Sequence, residues 1–462
     1  MTTLPTHPGV RPTTEKPSAR AWVITGLLVV FMLINFGDKA VLGLAADPMM
    51  ADLGMSASEY GLVSSSFYAL FSISAIVVGF IANKRSNKRI LLIMGIVWAL
   101  TQLPVVFFAS VATLLVSRTV LGAAEGPANP LSVNAAQKWF PDTRRNLPTS
   151  LVNLGAALGV VVMAPLLSYF IDNHGWRSAF FVMMVLGIIW SVVWAVVGRD
   201  GRTASATVEA SEVSDVTEAG AAPEPVAPAT APRTGDALVA RAGRAPYRAI
   251  FLSGTGLSVF AAGFVVYWAL ALLVAWVPLY LSKPLELGTA KGGTLVVLPW
   301  LVGAIVIPLQ GFISDRMMQR GGSSLVARVG VSAVCILASG ICMLMLTVVP
   351  GTAPQLAVLT FAFSLGCVQL GIGMTLMAEI TPPMQRAAVL ATLTAVTGLA
   401  GVIAPALAGR LIDAHGTASA TGYHQVFLIT GVLFLIGCAC LTLFARPVRD
   451  AARVARLAGA AR

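Results

Sequence analysis

The chain has 462 residues, 57% hydrophobic and 11% charged, against about a quarter charged in an ordinary soluble domain. That deficit excludes a water-soluble fold and indicates a multi-pass membrane protein. Lys and Arg number 31 against 20 Asp and Glu, a net charge of +11, but the bases sit in short loops between apolar runs, so nucleic acid is not the expected partner.

Residues 1–20 combine proline, threonine and charge, which predicts a disordered N-terminal tail. The apolar run that follows is too long for the core of a signal peptide. Apolar stretches then recur twelve times, near residues 21–44, 58–82, 89–109, 112–136, 147–171, 177–198, 249–281, 289–314, 327–349, 353–379, 387–412 and 423–445. Each is long enough as a helix to cross a hydrocarbon core of about 30 Å. Residues 21–198 and 249–446 therefore read as two bundles of six helices. Residues 199–248, rich in Ala, Pro, Thr and Glu, cannot bury enough surface to offset their ordering entropy and are expected to be a flexible linker. Residues 447–462 are the C-terminal tail.

Loops after even-numbered spans carry Lys84, Arg85, Lys88 and Arg89, then Lys138, Arg144 and Arg145, then Arg316, Arg320 and Arg328, then Arg386. Loops after odd-numbered spans offer Arg177, Lys283 and Lys291, and the first of them holds the acids Asp47, Asp52 and Glu59. By the positive-inside rule both termini and the linker belong in the cytoplasm. The basic balance then reports topology, and the expected location is a bacterial inner membrane, as a monomer. Five cysteines, Cys335, Cys342, Cys367, Cys438 and Cys440, fall within predicted spans without CxxC spacing or His partners. They read as small hydrophobes, and neither a metal nor a cofactor is expected.

Five ionisable residues lie well inside predicted spans: Asp38, Lys39, Arg118, Glu125 and Arg410. A charge at the bilayer centre costs about 2.5–3.5 kcal/mol on insertion scales, so helices 1 and 4 must face a polar partner or a wet cavity. Asp38 and Lys39 point about 100° apart; either both line a wide cavity or one turns to a neighbouring helix. Arg118 and Glu125 are seven residues apart and share one helix face, with Gly122 between them allowing close approach by a helix or ligand. Pro127 and Pro130 predict a bend just past Glu125, with Asn129 and Asn134 available to bond freed backbone groups. A buried Asp38–Arg118 pair reads either as a docking contact or as a switch released by protonation. Glu125 has no obvious partner; it reads as a carboxyl that takes up and releases protons or as one held permanently neutral near Pro127.

Each half carries a related loop after its second helix, "GFIANKRSNKR" from Gly79 and "GFISDRMMQRGG" from Gly311. Matching loops at equivalent places predict parallel repeats. Here the sequence resembles the major facilitator superfamily of secondary transporters, whose loop between helices 2 and 3 carries G-x-x-x-D-R-x-G-R-R. The resemblance implies an all-α membrane protein of the major facilitator fold, twelve transmembrane helices in two bundles. Asp315 and Arg316 keep the pattern, while Asn83 stands where its acid is usual. Gating contacts are implied for Asn83, Arg85, Asp315 and Arg316. The same reading extends to Glu379 and Arg386, which flank "TPPMQRA", an echo of "FPDTRRN" in the first half.

"NFGDK" on helix 1, "RTVLGAAEGPANP" on helix 4 and "GWRSAF" opening helix 6 are similar to the anion:cation symporter family, whose usual patterns are N-Y-x-D-R and R-x-x-x-G-x-x-E-A-P. Asn35, Asp38, Arg118 and Glu125 match directly. The resemblance implies proton coupling at Asp38 and Glu125 and contact between a substrate carboxylate and Lys39. Lys39 replaces the family Arg and its planar fork, and Phe36 replaces a Tyr, so a smaller or more aromatic anion fits as well as a polyhydroxylated one. Further expected site residues are Arg118, Asn35, Tyr68, Asn153, Tyr267 and Trp300, with Trp268, Gln369 and Thr394 on helices that the family also uses. Arg410 is expected to pair with Asp413 or to snorkel. The implied function is import of an organic anion, such as a sugar acid or aromatic acid, with protons; an exporter on the same fold and a transporter-like sensor are the alternatives. No GxSxG, HExxH, P-loop or Rossmann pattern lies on a suitable element, so no enzyme is expected.

Overall fold

A computed structural model describes residues 18–82, 85–140, 146–201, 239 and 242–460. Most of the expected N-terminal tail and linker lies outside these residues, as do Asn83 and the bases Lys84, Arg144 and Arg145. The first bundle contains α1 (Ala19–Leu44), α2 (Ala46–Leu53), α3 (Ala57–Ala82), α4 (Asn87–Phe107), α5 (Val111–Glu125), α6 (Ala128–Gln137), α7 (Asn146–His174) and α8 (Trp176–Val197). The second contains α9 (Tyr247–Phe251), α10 (Gly254–Ala275), α11 (Val277–Ser282), α12 (Gly288–Leu295) and α13 (Val297–Gln319), then α14 (Val331–Met345) after a π turn. It closes with α15 (Thr352–Ser364), α16 (Val368–Glu379), α17 (Arg386–Asp413) and α18 (Ala420–Phe444). Among the described residues ten helices are long and apolar enough to cross a membrane. At the other two expected positions the chain is also helical, in α3 and in the pair α5 and α6.

The helices begin where short polar side chains can take the unpaired first-turn N–H groups. Ser18, Ser86, Ser110 and Ser253 accept bonds from Ala21, Arg89, Thr113 and Gly256. At α3 the Ser56 and Glu59 side chains each accept the other's backbone N–H, at 3.1 and 2.9 Å, a reciprocal capping box. The bend expected past Glu125 is present, since α5 ends at Glu125 and α6 starts at Ala128, around a proline that has no N–H to continue the ladder. Asn129 does not repair the backbone there; it donates to the Asn153 side chain at 2.9 Å.

Glycines bring α5 against α3. A Cβ on Gly122 would stand 1.8 Å from the Phe67 carbonyl oxygen, and one on Gly126 2.1 Å from that of Phe71, so neither position admits a side chain. Close packing of this kind drives helix association where lipid is as apolar as the helix faces. It also fixes the azimuth of Glu125, which lies between the two glycines.

The bundles meet at the face remote from Ala19 and Ala460. A Cβ on Gly61 would lie 2.5 Å from the Pro405 carbonyl oxygen, and one on Gly409 2.5 Å from that of Ala57. Tyr60 donates across the seam to the Ala275 carbonyl at 2.7 Å, and Lys283 pairs with Asp47 at 3.1 Å. Asp413 accepts from Ala57 N at 3.2 Å and Ser58 Oγ at 2.7 Å, placing a carboxylate at the positive end of α3. Arg410, its expected partner, is exposed. On the same face the Trp176 indole and then Arg177 hold the Asp52 carboxyl below its usual value.

The last residues are more than a tail. Pro447–Ala460 form α19, which buries Ala451, Val454 and Ala458. Its Asp450 accepts from Thr255 N at 2.8 Å and Thr255 Oγ1 at 2.7 Å, pinning the start of α10.

Candidate functional site

The middle of α1 sends neighbouring charges in different directions. Lys39 Nζ lies 2.7 Å from Glu125 Oε2 on α5 and donates to Asn35 Oδ1, one turn back, at 2.5 Å. The ammonium also sits 4.6 Å from the Phe36 ring centre, 5.8 Å from that of Phe71 and 5.9 Å from that of Phe67, distances at which ring faces attract a cation. Asp38 turns the other way and accepts from Gln102 Nε2 on α4 at 2.7 Å. One charge therefore turns to each neighbouring helix.

Arg118 does not pair with the Asp38 carboxylate. Its Nη1 donates to the Asp38 backbone carbonyl at 3.3 Å, and the guanidinium lies 5.2 Å from the Phe180 ring centre. The step of about 100° between adjacent residues carries the Asp38 side chain toward α4 while Lys39 faces α5. Glu125, which had no obvious partner in the sequence, takes Lys39 instead. Asp38, Arg118 and Glu125 are buried, and Arg118 Nη2 and Glu125 Oε1 have no hydrogen-bond partner.

Lys39 and Arg118 border a small cavity just inside the seal made by Gly43 and Tyr60. From the first bundle Lys39, Leu42, Gly43, Ser64, Phe67, Tyr68 and Arg118 line it; the second bundle contributes Ala271, Val274 and Ala275. Two aromatic contacts cross the seam beside it, Tyr68 with Tyr267 at 6.3 Å and Phe36 with Trp300 at 5.9 Å.

Of the expected site residues, Lys39, Arg118 and Tyr68 line the cavity, Asn35 and Glu125 join through Lys39, and Tyr267 and Trp300 join through rings. Asn153 stands apart, bonded to Asn129 and exposed. Trp268 donates to Thr430 within the second bundle at 3.1 Å, Gln369 accepts from Ser332, and Thr394 bonds its own helix at Leu390. Glu379 is fully buried against Arg328 at 2.6 Å and Ser324 at 2.5 Å, while Arg386 donates to the Thr381 carbonyl at 3.2 Å. Arg85, Asp315 and Arg316 are exposed. Sequence reasoning missed Gln102 and the rings of Phe67 and Phe71. Gln102 carried a signal, as an amide inside the apolar run "WALTQLPVV". Among the described residues no cluster of His, Cys, Asp and Glu could hold a metal, and the five cysteines are free.

The family model for the Major Facilitator Superfamily matches residues 27–332 and 322–460. The chain belongs to this superfamily. It is a transporter and a multi-pass protein of the cell membrane. Its relatives include the probable sulfoacetate transporter SauU of Cupriavidus necator, 25% identical over 426 residues, which are 92% of this chain and 94% of that protein. The hexuronate transporter of Bacillus subtilis is 24% identical over 426 residues, 91% and 94% of the two chains. The chloroplastic ascorbate transporter of Arabidopsis thaliana is 28% identical over 433 residues, 92% and 75% of the two chains. Among solved structures, an inward-facing, unoccupied bacterial homologue of the human lysosomal transporter Spinster matches with a TM-score of 0.72 at 16% identity, covering 96% of this chain and 99% of that one. A D-xylose–proton symporter gives 0.68 at 14% identity, covering 94% and 99%. At such identities the likeness shows a common fold.

Proposed function

We propose that this transporter brings a small organic anion into the cytoplasm together with protons, by exposing the cavity at Lys39 alternately to the two sides of the membrane. Relatives named as carriers of sulfoacetate and hexuronate support an acidic solute. The observation that carries the proposal is the 2.7 Å bridge from Lys39, which lines the cavity, to Glu125 behind it. An ammonium already neutralised by a buried carboxylate is a poor anion site. Protonating Glu125 releases it, and Arg118, with Nη2 unpaired, supplies a second positive group. Proton and anion then each raise the other's affinity by the same factor. When the proton leaves toward the cytoplasm, Glu125 recaptures Lys39 and the anion is displaced.

Asp38 is the second proton site in this scheme. Its carboxylate rests on Gln102 while its carbonyl holds Arg118, so its charge state is felt by the same guanidinium. With the basic loops cytoplasmic, the sealed face is the outer one and the structure corresponds to the inward-facing end of the cycle. The buried Glu379–Arg328 pair braces the cytoplasmic end of the second bundle. Uptake of radiolabelled carboxylates by proteoliposomes under an inward proton gradient tests the proposal. Accumulation that a protonophore abolishes supports it; accumulation indifferent to the gradient, or proton-driven expulsion of a cation, overturns it.

A further inference from the structure

The C-terminal helix carries charge that the fold does not use. Along α19 the buried Ala451, Val454 and Ala458 form one face, and Arg449, Arg453 and Arg456 are exposed on the opposite one, as steps of about 100° per residue require. Three guanidinium groups thus stand in a row about 10 Å long, turned away from the protein. α9 packs beside α19 and brings the exposed Arg248, with Arg244 exposed just before its start. Among the described residues Arg244, Arg248, Arg449 and Arg453 make no ion pair or side-chain hydrogen bond, and Arg456 reaches only the Ala452 carbonyl of its own helix. Asp450, the one acid of α19, is buried and bonded to Thr255.

Neighbouring helices fix the depth of this row. α18 ends at Phe444 and α19 starts at Pro447, so two residues separate it from a membrane span. Another span, α10, starts at the same level: a Cβ on Gly254 would stand 2.3 Å from the Phe444 carbonyl oxygen. Leu252 and Phe444 are exposed there, and Tyr247 on α9 with them. Apolar side chains facing outward at the end of a span, with a tyrosine beside them, mark the boundary between hydrocarbon and water. Long arginine side chains at this depth reach the headgroup layer, and a guanidinium offers paired donors that match two oxygens of a phosphate. On the proposed orientation this is the cytoplasmic side, where anionic lipid attracts basic segments next to a span.

We propose that α19 and α9 form a docking surface for anionic phospholipid, with Arg449, Arg453 and Arg456 holding headgroup phosphates. The acids of the linker from Glu209 to Glu224 match the row in charge, but a phospholipid also covers the apolar side chains beside it.

The test follows the melting temperature of the full chain in dodecyl maltoside as lipid is added in mixed micelles. Cardiolipin and dioleoylphosphatidylglycerol are expected to raise it by several degrees, and dioleoylphosphatidylcholine and inorganic phosphate to leave it unchanged. R449Q/R453Q/R456Q should melt like the wild type without lipid, because these side chains hold nothing in the fold. It should need about tenfold more anionic lipid, or beyond, for the same rise, while R449K/R453K/R456K, which keeps the charge, stays close to the wild type. An equal lipid response in the wild type and the glutamine variant would overturn the proposal. So would an equal rise with phosphatidylcholine, the sign of ordinary lipid solvation, or with inorganic phosphate, the sign of a free-anion site. A response that appears only when residues 207–226 are deleted would assign the row to the linker acids and overturn it too. No substrate is present, so the outcome stands apart from the import reading.

Discussion

Lys39 Nζ stands 2.7 Å from the Glu125 carboxylate and 2.5 Å from the Asn35 amide oxygen, so one cation joins α1 to α5 in the middle of the first bundle. Removing one partner of a buried pair strands the other charge, at a cost of about 3–5 kcal/mol. Lys39→Met should therefore lower the melting temperature in detergent markedly. The double variant Lys39→Met, Glu125→Gln should recover most of that loss and transport nothing. A single variant as stable as the wild type would show that the pair carries no such energy.

Gln102 donates a hydrogen bond to the Asp38 carboxylate at 2.7 Å. Gln102→Leu leaves a buried acceptor unmet, which costs about 1–3 kcal/mol. The expected readout is a lower unfolding midpoint, largely rescued when Asp38→Asn is added. No rescue would mean that the damage comes from packing on α4.

On the proposed orientation, the seal on the outer side depends on Asp413, which caps α3 across the bundle seam. Loss of a cap costs about 1 kcal/mol, roughly a fivefold shift in a two-state population. In a background with the five native cysteines replaced, Asp413→Ala should speed labelling of Ser64→Cys by an impermeant thiol reagent added from outside. Equal labelling rates would place the seal elsewhere.

Gly122 sets the approach of α5 to α3, since a Cβ there would stand 1.8 Å from the Phe67 carbonyl oxygen. Gly122→Ala should cost about 1–3 kcal/mol through overpacking and move Glu125 away from Lys39, abolishing uptake. Gly303→Ala, where a Cβ meets nothing within 4 Å, should be silent. If both variants transport normally, the glycine contact does not position Glu125.

The helices could be read from the sequence because each apolar run exceeds the membrane thickness, and the break at Pro127 because proline lacks the donor that the helix needs. Lys39, Arg118 and Glu125 stood out because charge in a span demands compensation. Their pairing could not be read. Helical geometry fixes the angle between Asp38 and Lys39 on α1, but not how α1 is rotated against α4 and α5, and that rotation decides whether Arg118 meets a carboxylate or a carbonyl. The choice of Asp413 for the α3 terminus over Arg410 depends on contact between the two bundles, which no local pattern encodes. Phe67 and Phe71 look like ordinary lipid-facing rings until Lys39 is placed among them. The helix at Pro447–Ala460 was hidden because its apolar residues alternate with arginines and depress the mean hydropathy that marks a span.

The most direct test of coupling through Glu125 is a comparison of two modes of transport in Glu125→Gln proteoliposomes. The variant should fail to accumulate substrate under an inward proton gradient yet exchange it with preloaded substrate at close to the wild-type rate. Gradient-driven accumulation at the wild-type level would contradict the account.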